Sequence, residues 1–143
     1  MEQEHEFNDM ISAARQELVE AGLKELKTAE DVDSEISNTD GTLLIYVNSM
    51  CGCAAMSARP GLYAALENEK KPVRLTTVFA GQDLEATEKA REYFSKFNVP
   101  KSSPSFRLFK NGELIWNMQR EELLHKDPSE VSEKLIKAFN EHC

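Results

Sequence analysis

The stretch "TLLIYVNSMCGCAAMSARP", Thr42 to Pro60, decides how the rest of the chain is organised. Its first half is almost entirely apolar and partly β-branched, which suits a strand covered on both faces, as in a parallel sheet. Its second half is rich in Ala and Met and predicts a helix, with Pro60 forcing a kink or a new turn. Cys51, Gly52 and Cys53 fall between the two. The sulfurs therefore sit where a buried strand hands over to a helix. There the first backbone N–H groups lack partners and the helix end carries roughly half a positive charge.

On the N-terminal side, Phe7, Met10, Ile11, Ala14, Leu18 and Ala21 recur at helical spacing and Gly22 ends the pattern. Thr28 and Asp31 have the spacing of a capping box before a short helix carrying Val32 and Ile36, and Asn38–Gly41 is a turn. On the C-terminal side, Val73–Gly81 is a second strand. Asp83 is a cap for a helix reaching about Phe97, sampled by Leu84, Thr87, Arg91 and Phe94. In "PSFRLFKNGELIWNM", Pro104 to Met118, Asn111-Gly112 is the favoured centre of a type I′ hairpin, which sets Lys110 opposite Glu113. A last helix starts near Pro128, with Asp127 as cap and Val131, Leu135 and Phe139 as its buried stripe. This order predicts an α/β domain over residues 1–143. Its central mixed sheet has about four strands, parallel first and antiparallel at one edge, with helices on both faces and extra N-terminal helices.

Bulk properties narrow the function. The 143 residues suffice for one core; 41% are hydrophobic and 29% charged, an ordinary globular balance. A net charge of −8 disfavours nucleic acid as a partner. No run is long enough to span a bilayer, and the acidic start "MEQEHEFNDM" is no secretory signal. Three cysteines without a signal make a secreted disulfide framework an unlikely design, so the expected setting is the cytoplasm and the expected chemistry catalytic or metal-binding. Nothing in the sequence fixes an oligomeric state.

A thiolate attacks a disulfide far faster than a thiol does. With no Lys or Arg adjacent in sequence, the helix start is the main device for ionising Cys51; Arg59 is a candidate helper through space. Cys-Gly-Cys closes a tighter disulfide ring than Cys-x-x-Cys, and Gly52 supplies backbone freedom for it. A strained pair is easily reduced, so the spacing predicts either a pair that readily accepts electrons or a Cys51 that attacks alone and hands its adduct to Cys53 or a free thiol. The competing reading is a metal or iron–sulfur carrier, which would need ligands beyond the pair. Cys143, His5, His125 and His142 share no motif and are expected at the surface; Trp116 is expected to pack; Glu17–Glu20 and Glu121–Glu122 are expected to be solvated.

"SPSFRLFKNGEL", Ser103 to Leu114, resembles the thioredoxin segment in which a cis-proline opens a strand and a Lys-Asn-Gly turn closes it. Thioredoxins carry Cys-x-x-Cys where this chain has Cys-Gly-Cys. "VNSMCGCAAMSARP" (Val47–Pro60), "TVFAGQDLEAT" (Thr77–Thr87), "SSPS" (Ser102–Ser105) and the final "HC" together resemble the bacilliredoxins, a thioredoxin-like family. The resemblance implies a thiol–disulfide oxidoreductase that removes a low-molecular-weight thiol, bacillithiol above all, from S-thiolated client proteins. Cys51 would be nucleophile, Cys53 the second cysteine and Pro104 the cis-proline. The small thiol would be a co-substrate rather than a bound cofactor, and no metal would be held. A general disulfide reductase or isomerase is the alternative enzyme. Ser103, beside the cis bond, would offer its backbone to an extended substrate. Ala80, Gly81 and Gln82, ending the neighbouring strand, are candidates to line the same crevice.

Overall fold

The computed structural model of the chain describes residues 2–143. Five strands form one sheet: β1 (Lys24–Glu25), β2 (Thr42–Asn48), β3 (Arg74–Phe79), β4 (Ser105–Lys110) and β5 (Glu113–Met118), in spatial order β1-β3-β2-β4-β5. The β1–β3 and β3–β2 pairs are parallel; the β2–β4 and β4–β5 pairs are antiparallel. Helices α1 (Glu2–Glu20), α2 (Ala29–Ser37), α3 (Arg59–Ala65), α4 (Leu84–Ser95) and α5 (Pro128–His142) surround it. The sheet thus has one strand more than expected. That strand, "KE", is two charged residues at an edge. It exists because β3 offers it a partner rather than through any periodicity of its own.

Strand β2 is buried along its whole length, as its apolar run requires. Leu44 and Tyr46 point to one side and join Leu62 of α3 and Val131, Leu135 and Phe139 of α5. Leu43, Ile45 and Val47 point to the other and join Val32 and Ile36 of α2 and Ala86, Ala90 and Phe94 of α4. Alternation in one strand thus builds two cores. The hairpin turns as its sequence demands: Asn111 and Gly112 have φ of 54° and 79°, and Lys110 pairs with Glu113. The Thr28–Asp31 capping box is complete.

Three local expectations need correcting. Phe7 and Met10 stay exposed, because only the later turns of α1, carrying Ile11, Ala14 and Leu18, reach the core. Asp83 stands at the N-cap of α4 and its carbonyl accepts from Thr87, but its side chain does not cap the helix: Arg15 grips its carboxylate through two hydrogen bonds, of 2.8 and 3.0 Å, and also holds Glu25 at 2.8 Å. That clamp ties α1 to β1 and to the start of α4. Asp127 makes no side-chain cap either; Glu130 and Val131 donate instead to its backbone carbonyl.

Two features fix the end of the sheet where the cysteines lie. The bond between Ser103 and Pro104 is cis, as the thioredoxin resemblance implies. Helix α3 also lies very close to α5. A Cβ on Gly61 would stand 2.6 Å from two atoms of the Val131 side chain and 3.0 Å from the Pro128 carbonyl, so only glycine fits. This contact holds the loop that leads into α5 against the start of the cysteine helix.

Candidate active site

Chain direction brings Asn48, Ser49 and Met50 off the C-terminal end of β2, and helical backbone begins at Gly52. The carbonyl of Cys51 accepts the N–H groups of Ala54 (3.1 Å) and Ala55 (3.4 Å), so Cys51 occupies the position that opens the helix. Ala54–Ala58 then form a π-helical turn, closed by the Arg59 N–H donating to the Ala54 carbonyl, before α3 continues through Pro60. The wide turn resolves the conflict expected at Pro60. A proline lacks the N–H that a regular ladder needs and crowds the carbonyl four residues back, and here the ladder has already shifted register.

Cys51 and Cys53 are both half-buried free thiols, with their Sγ atoms 2.6 Å apart. The Ser49 hydroxyl donates to Cys51 Sγ at 3.2 Å, while the Cys51 N–H donates to Ser49 Oγ at 3.3 Å. Burial alone would push the Cys51 thiol up. Hydrogen bonds from the Cys53 thiol, the Ser49 hydroxyl and the backbone N–H groups of Ala54 and Cys53 outweigh it and hold the thiol below its ordinary range. Cys53 goes the other way: burial raises it, then its hydrogen bond to Cys51 and the charge there, with Arg120 opposing. The pair is thus unequal, with Cys51 the more acidic sulfur and Cys53 the one that keeps its proton longer.

Arg59 takes a different place from the one expected of it. It is 8% exposed and makes no contact with Cys51. Its Nη1 donates to Asn48 Oδ1 at 2.9 Å and reaches the Ser49 carbonyl at 3.4 Å; Tyr46 OH donates to the same Asn48 oxygen at 3.0 Å. Glu17 of α1 approaches Arg59 Nε at 4.0 Å. Arg59 thus pins the Asn48–Ser49 segment that carries the serine hydroxyl to Cys51. Gly52 also differs from expectation. Its φ is not in the left-handed region and an added Cβ would meet nothing within 4 Å, so the dithiol state makes no demand for glycine. Any such demand belongs to ring closure between the sulfurs.

The sulfurs open into a cleft of ≈ 530 Å³ whose walls include Met56, Arg120, Leu124, His125 and Lys126. Met56 is 75% exposed and Leu124 37%, so apolar side chains of the cleft face solvent. Arg120 also borders a second cleft of ≈ 270 Å³, shared with Arg91, Lys101, Ser102 and Ser103. Ser102 Oγ accepts the Arg120 N–H at 2.8 Å, which joins the cis-proline bend to the chain leaving β5. Ser103 makes no backbone hydrogen bond among the described residues and stays available. Ala80, Gly81 and Gln82 form the turn that follows β3, which ends at Phe79, and do not line the sulfur cleft. The N–H groups of Ala80 and Gln82 are engaged with the Asn48 and Phe79 carbonyls, and Gly81 lines a separate groove beside α4.

Ser49, Arg120 and the 124–128 loop were not singled out by the sequence. Ser49 carried a signal, being two residues before Cys51; Arg120 and His125 did not, since only the fold returns them to the sulfurs. Trp116 packs against the core as expected. Cys143 is exposed at the opposite end of the sheet, where Thr42 and Lys110 lie near its sulfur. Among the described residues, no three His, Cys, Asp or Glu side chains are grouped to hold a metal ion. No helix of the described chain is long and apolar enough to cross a membrane.

Comparison with known proteins agrees with this geometry. Residues 7–143 match the family model described as disulphide isomerase. A bacilliredoxin of Halalkalibacterium halodurans is 48% identical over 96% of this chain and 92% of its own length, and one of Geobacillus kaustophilus is 47% identical over the same shares. Among solved structures, thioredoxin of Fasciola hepatica superposes with a TM-score of 0.57 at 20% identity, covering 85% of this chain and all of that one, which shows the fold. With a helix-opening Cys-Gly-Cys on a thioredoxin fold and relatives this similar, the chain belongs to the bacilliredoxin family and is a thiol–disulfide oxidoreductase.

Proposed function

We propose that the protein removes a small thiol, bacillithiol in the first instance, from S-thiolated proteins in the cytoplasm. The observation that carries this reading is the pairing of opposite shifts on two touching sulfurs at the mouth of a cleft: Cys51 held down, Cys53 held up. In the first step the Cys51 thiolate attacks the small-thiol sulfur of the mixed disulfide. A Cys51–small-thiol disulfide forms, the S–S bond between the small thiol and the client breaks, and the client sulfur leaves with the electron pair and takes a proton. In the second, either Cys53 gives up its proton and attacks Cys51 Sγ, expelling the small thiol, or a second small thiol attacks the adduct and restores Cys51. The first branch leaves a Cys51–Cys53 disulfide, the second a small-molecule disulfide. The small thiol is a co-substrate and no bound cofactor enters.

A Cys53→Ser variant given a bacillithiolated protein should retain the small thiol on Cys51, seen as a mass increase equal to that thiol, while the client is released reduced. Client trapped on Cys51 would favour the general reductase or isomerase reading that the family model's description carries. No adduct of either kind would contradict both.

A further inference from the structure

In an acidic chain, cations without carboxylate partners are conspicuous when they gather. Arg15, Arg59, Arg74, Lys89 and Lys134 each face a carboxylate within 4.0 Å. Arg91, Lys101, Arg120 and Lys126 enter no ion pair among the described residues, and all four border the two clefts that meet at Arg120. Lys70, Lys71, Lys96, Lys110 and Lys137 are unpaired too, but they are exposed lysines that line neither cleft, and Arg107 is buried within the sheet. Arg91 stands out further: its Nε is buried without a hydrogen-bond partner, and burial lowers the affinity of its guanidinium for its proton. An arginine held partly out of water with an unsatisfied donor is costly unless something anionic meets it. Acidic groups are present at both clefts, Asp127 in the first and Glu121 in the second, but they are outnumbered two to one by these cations.

We infer that Arg91, Lys101 and Arg120, grouped around the Ser103–Pro104 bend, form an anion subsite that selects small thiols bearing a negatively charged group such as a carboxylate while their sulfur meets Cys51. The inference rests on the de-thiolation reading and assigns that reading its specificity residues. Arginine suits the task because its planar fork matches a carboxylate in two hydrogen bonds. The second cleft, ≈ 270 Å³, is of a size for the polar part of a small molecule rather than for a folded partner. Arg120 borders both clefts and so links the wall of the sulfur cleft to the cluster of Arg91 and Lys101. The subsite also answers an electrostatic difficulty. A Cys51 thiolate repels an anionic disulfide, and without fixed cations the most anionic small thiols would be the slowest to react.

The test uses the full chain carrying Cys53→Ser and Cys143→Ser, with 2-pyridyl mixed disulfides of mercaptosuccinate (anionic), mercaptoethanol (neutral) and cysteamine (cationic). Cys51 attacks the aliphatic sulfur, the bond to the pyridyl sulfur breaks, and 2-thiopyridone leaves with the electron pair and is followed by its absorbance. At low salt the anionic probe should react about tenfold faster than the neutral one, and the advantage should shrink at high salt. Arg91→Gln, Lys101→Gln and Arg120→Gln should each cut the anionic-to-neutral ratio by about fivefold, whatever they do to the neutral rate; Lys137→Gln, outside both clefts, should change neither the ratio nor the neutral rate. An anionic probe no faster than the neutral one, or a ratio that survives all three substitutions, overturns the subsite while leaving Cys51 chemistry intact. Failure of every probe to modify Cys51 overturns the de-thiolation reading as well. In a second arm the pyridyl group is replaced by a peptide thiol with acidic or neutral flanks. Acceleration that follows the peptide's charge instead of the small thiol's assigns the cations to the client and refutes the proposal.

Discussion

Two sulfur sites lie at opposite ends of the same strands. Cys51 follows the C-terminal end of β2; Cys143 lies beside Thr42 and Lys110, the residues that begin β2 and end β4, about 20 Å away along the strand. By exposure alone Cys143 would be the more reactive. By surroundings it is the less: burial around its sulfur raises it, and the Thr42 hydroxyl and Lys110 charge only partly oppose this. Cys51 is more enclosed yet held down, because donors converge on it from Ser49, Cys53 and the helix start. Access alone does not make a thiol nucleophilic; a ring of donors does.

The largest expected effect separates the two sites. Cys51→Ser should abolish exchange with a mixed disulfide, whereas Cys143→Ser should leave the rate within about twofold, in a turnover assay with a thiolated client. Equal losses would dissolve the contrast. Next comes the support under the active end. Gly61→Ala drives a methyl into Val131 and the Pro128 carbonyl and should cost about 1–3 kcal/mol in urea unfolding, because α3 and α5 cannot separate without opening both flanks of the buried Leu62–Leu135 packing.

Smaller effects sharpen the electrostatics. Ser49→Ala removes one donor to Cys51 Sγ and should raise its pKa. The alkylation rate near neutral pH should then fall several-fold, while the rates of variant and parent converge at high pH, where both are thiolate. The sign for stability follows. Cys51 is lowered on folding, so its contribution is present at pH above the unfolded thiol's value and fades as pH falls through the folded one. The smallest effect concerns Gly52. Gly52→Ala should leave the reduced protein's stability within about 0.5 kcal/mol, since its Cβ meets nothing, but should hinder formation of the Cys51–Cys53 disulfide, measured in a thiol redox buffer.

The sheet was legible because its strands declare themselves locally. An unbroken apolar run in β2 needs cover on both faces, and Asn-Gly fixes the hairpin register. Strand β1 was not legible, because two charged residues become a strand only through the partner beside them. The reactive pair and its helix start were legible for the same local reason. The walls of the site were not: Arg120 and His125 reach the sulfurs only after β5 returns past the cis-proline, a contact encoded by topology rather than spacing. Arg107 shows the same limit from inside. Its place in a strand was evident. Its complete burial was not: Asn117 Oδ1 and the Pro100 carbonyl accept from it and the Phe94 ring lies beneath it, and burial draws it down to about 10. Asp83 illustrates the converse, a cap recognisable by type that Arg15 claims from another helix.

The contrast between the two sulfur sites can be measured in one experiment: alkylation of the reduced protein across pH, with Cys51 and Cys143 resolved by peptide mass. Cys51 should show its inflection below about 8.5, the value of an ordinary cysteine, and Cys143 above it. Coincident curves, or an inflection for Cys51 above that of Cys143, would contradict the account of how the helix start and Ser49 make this sulfur the nucleophile.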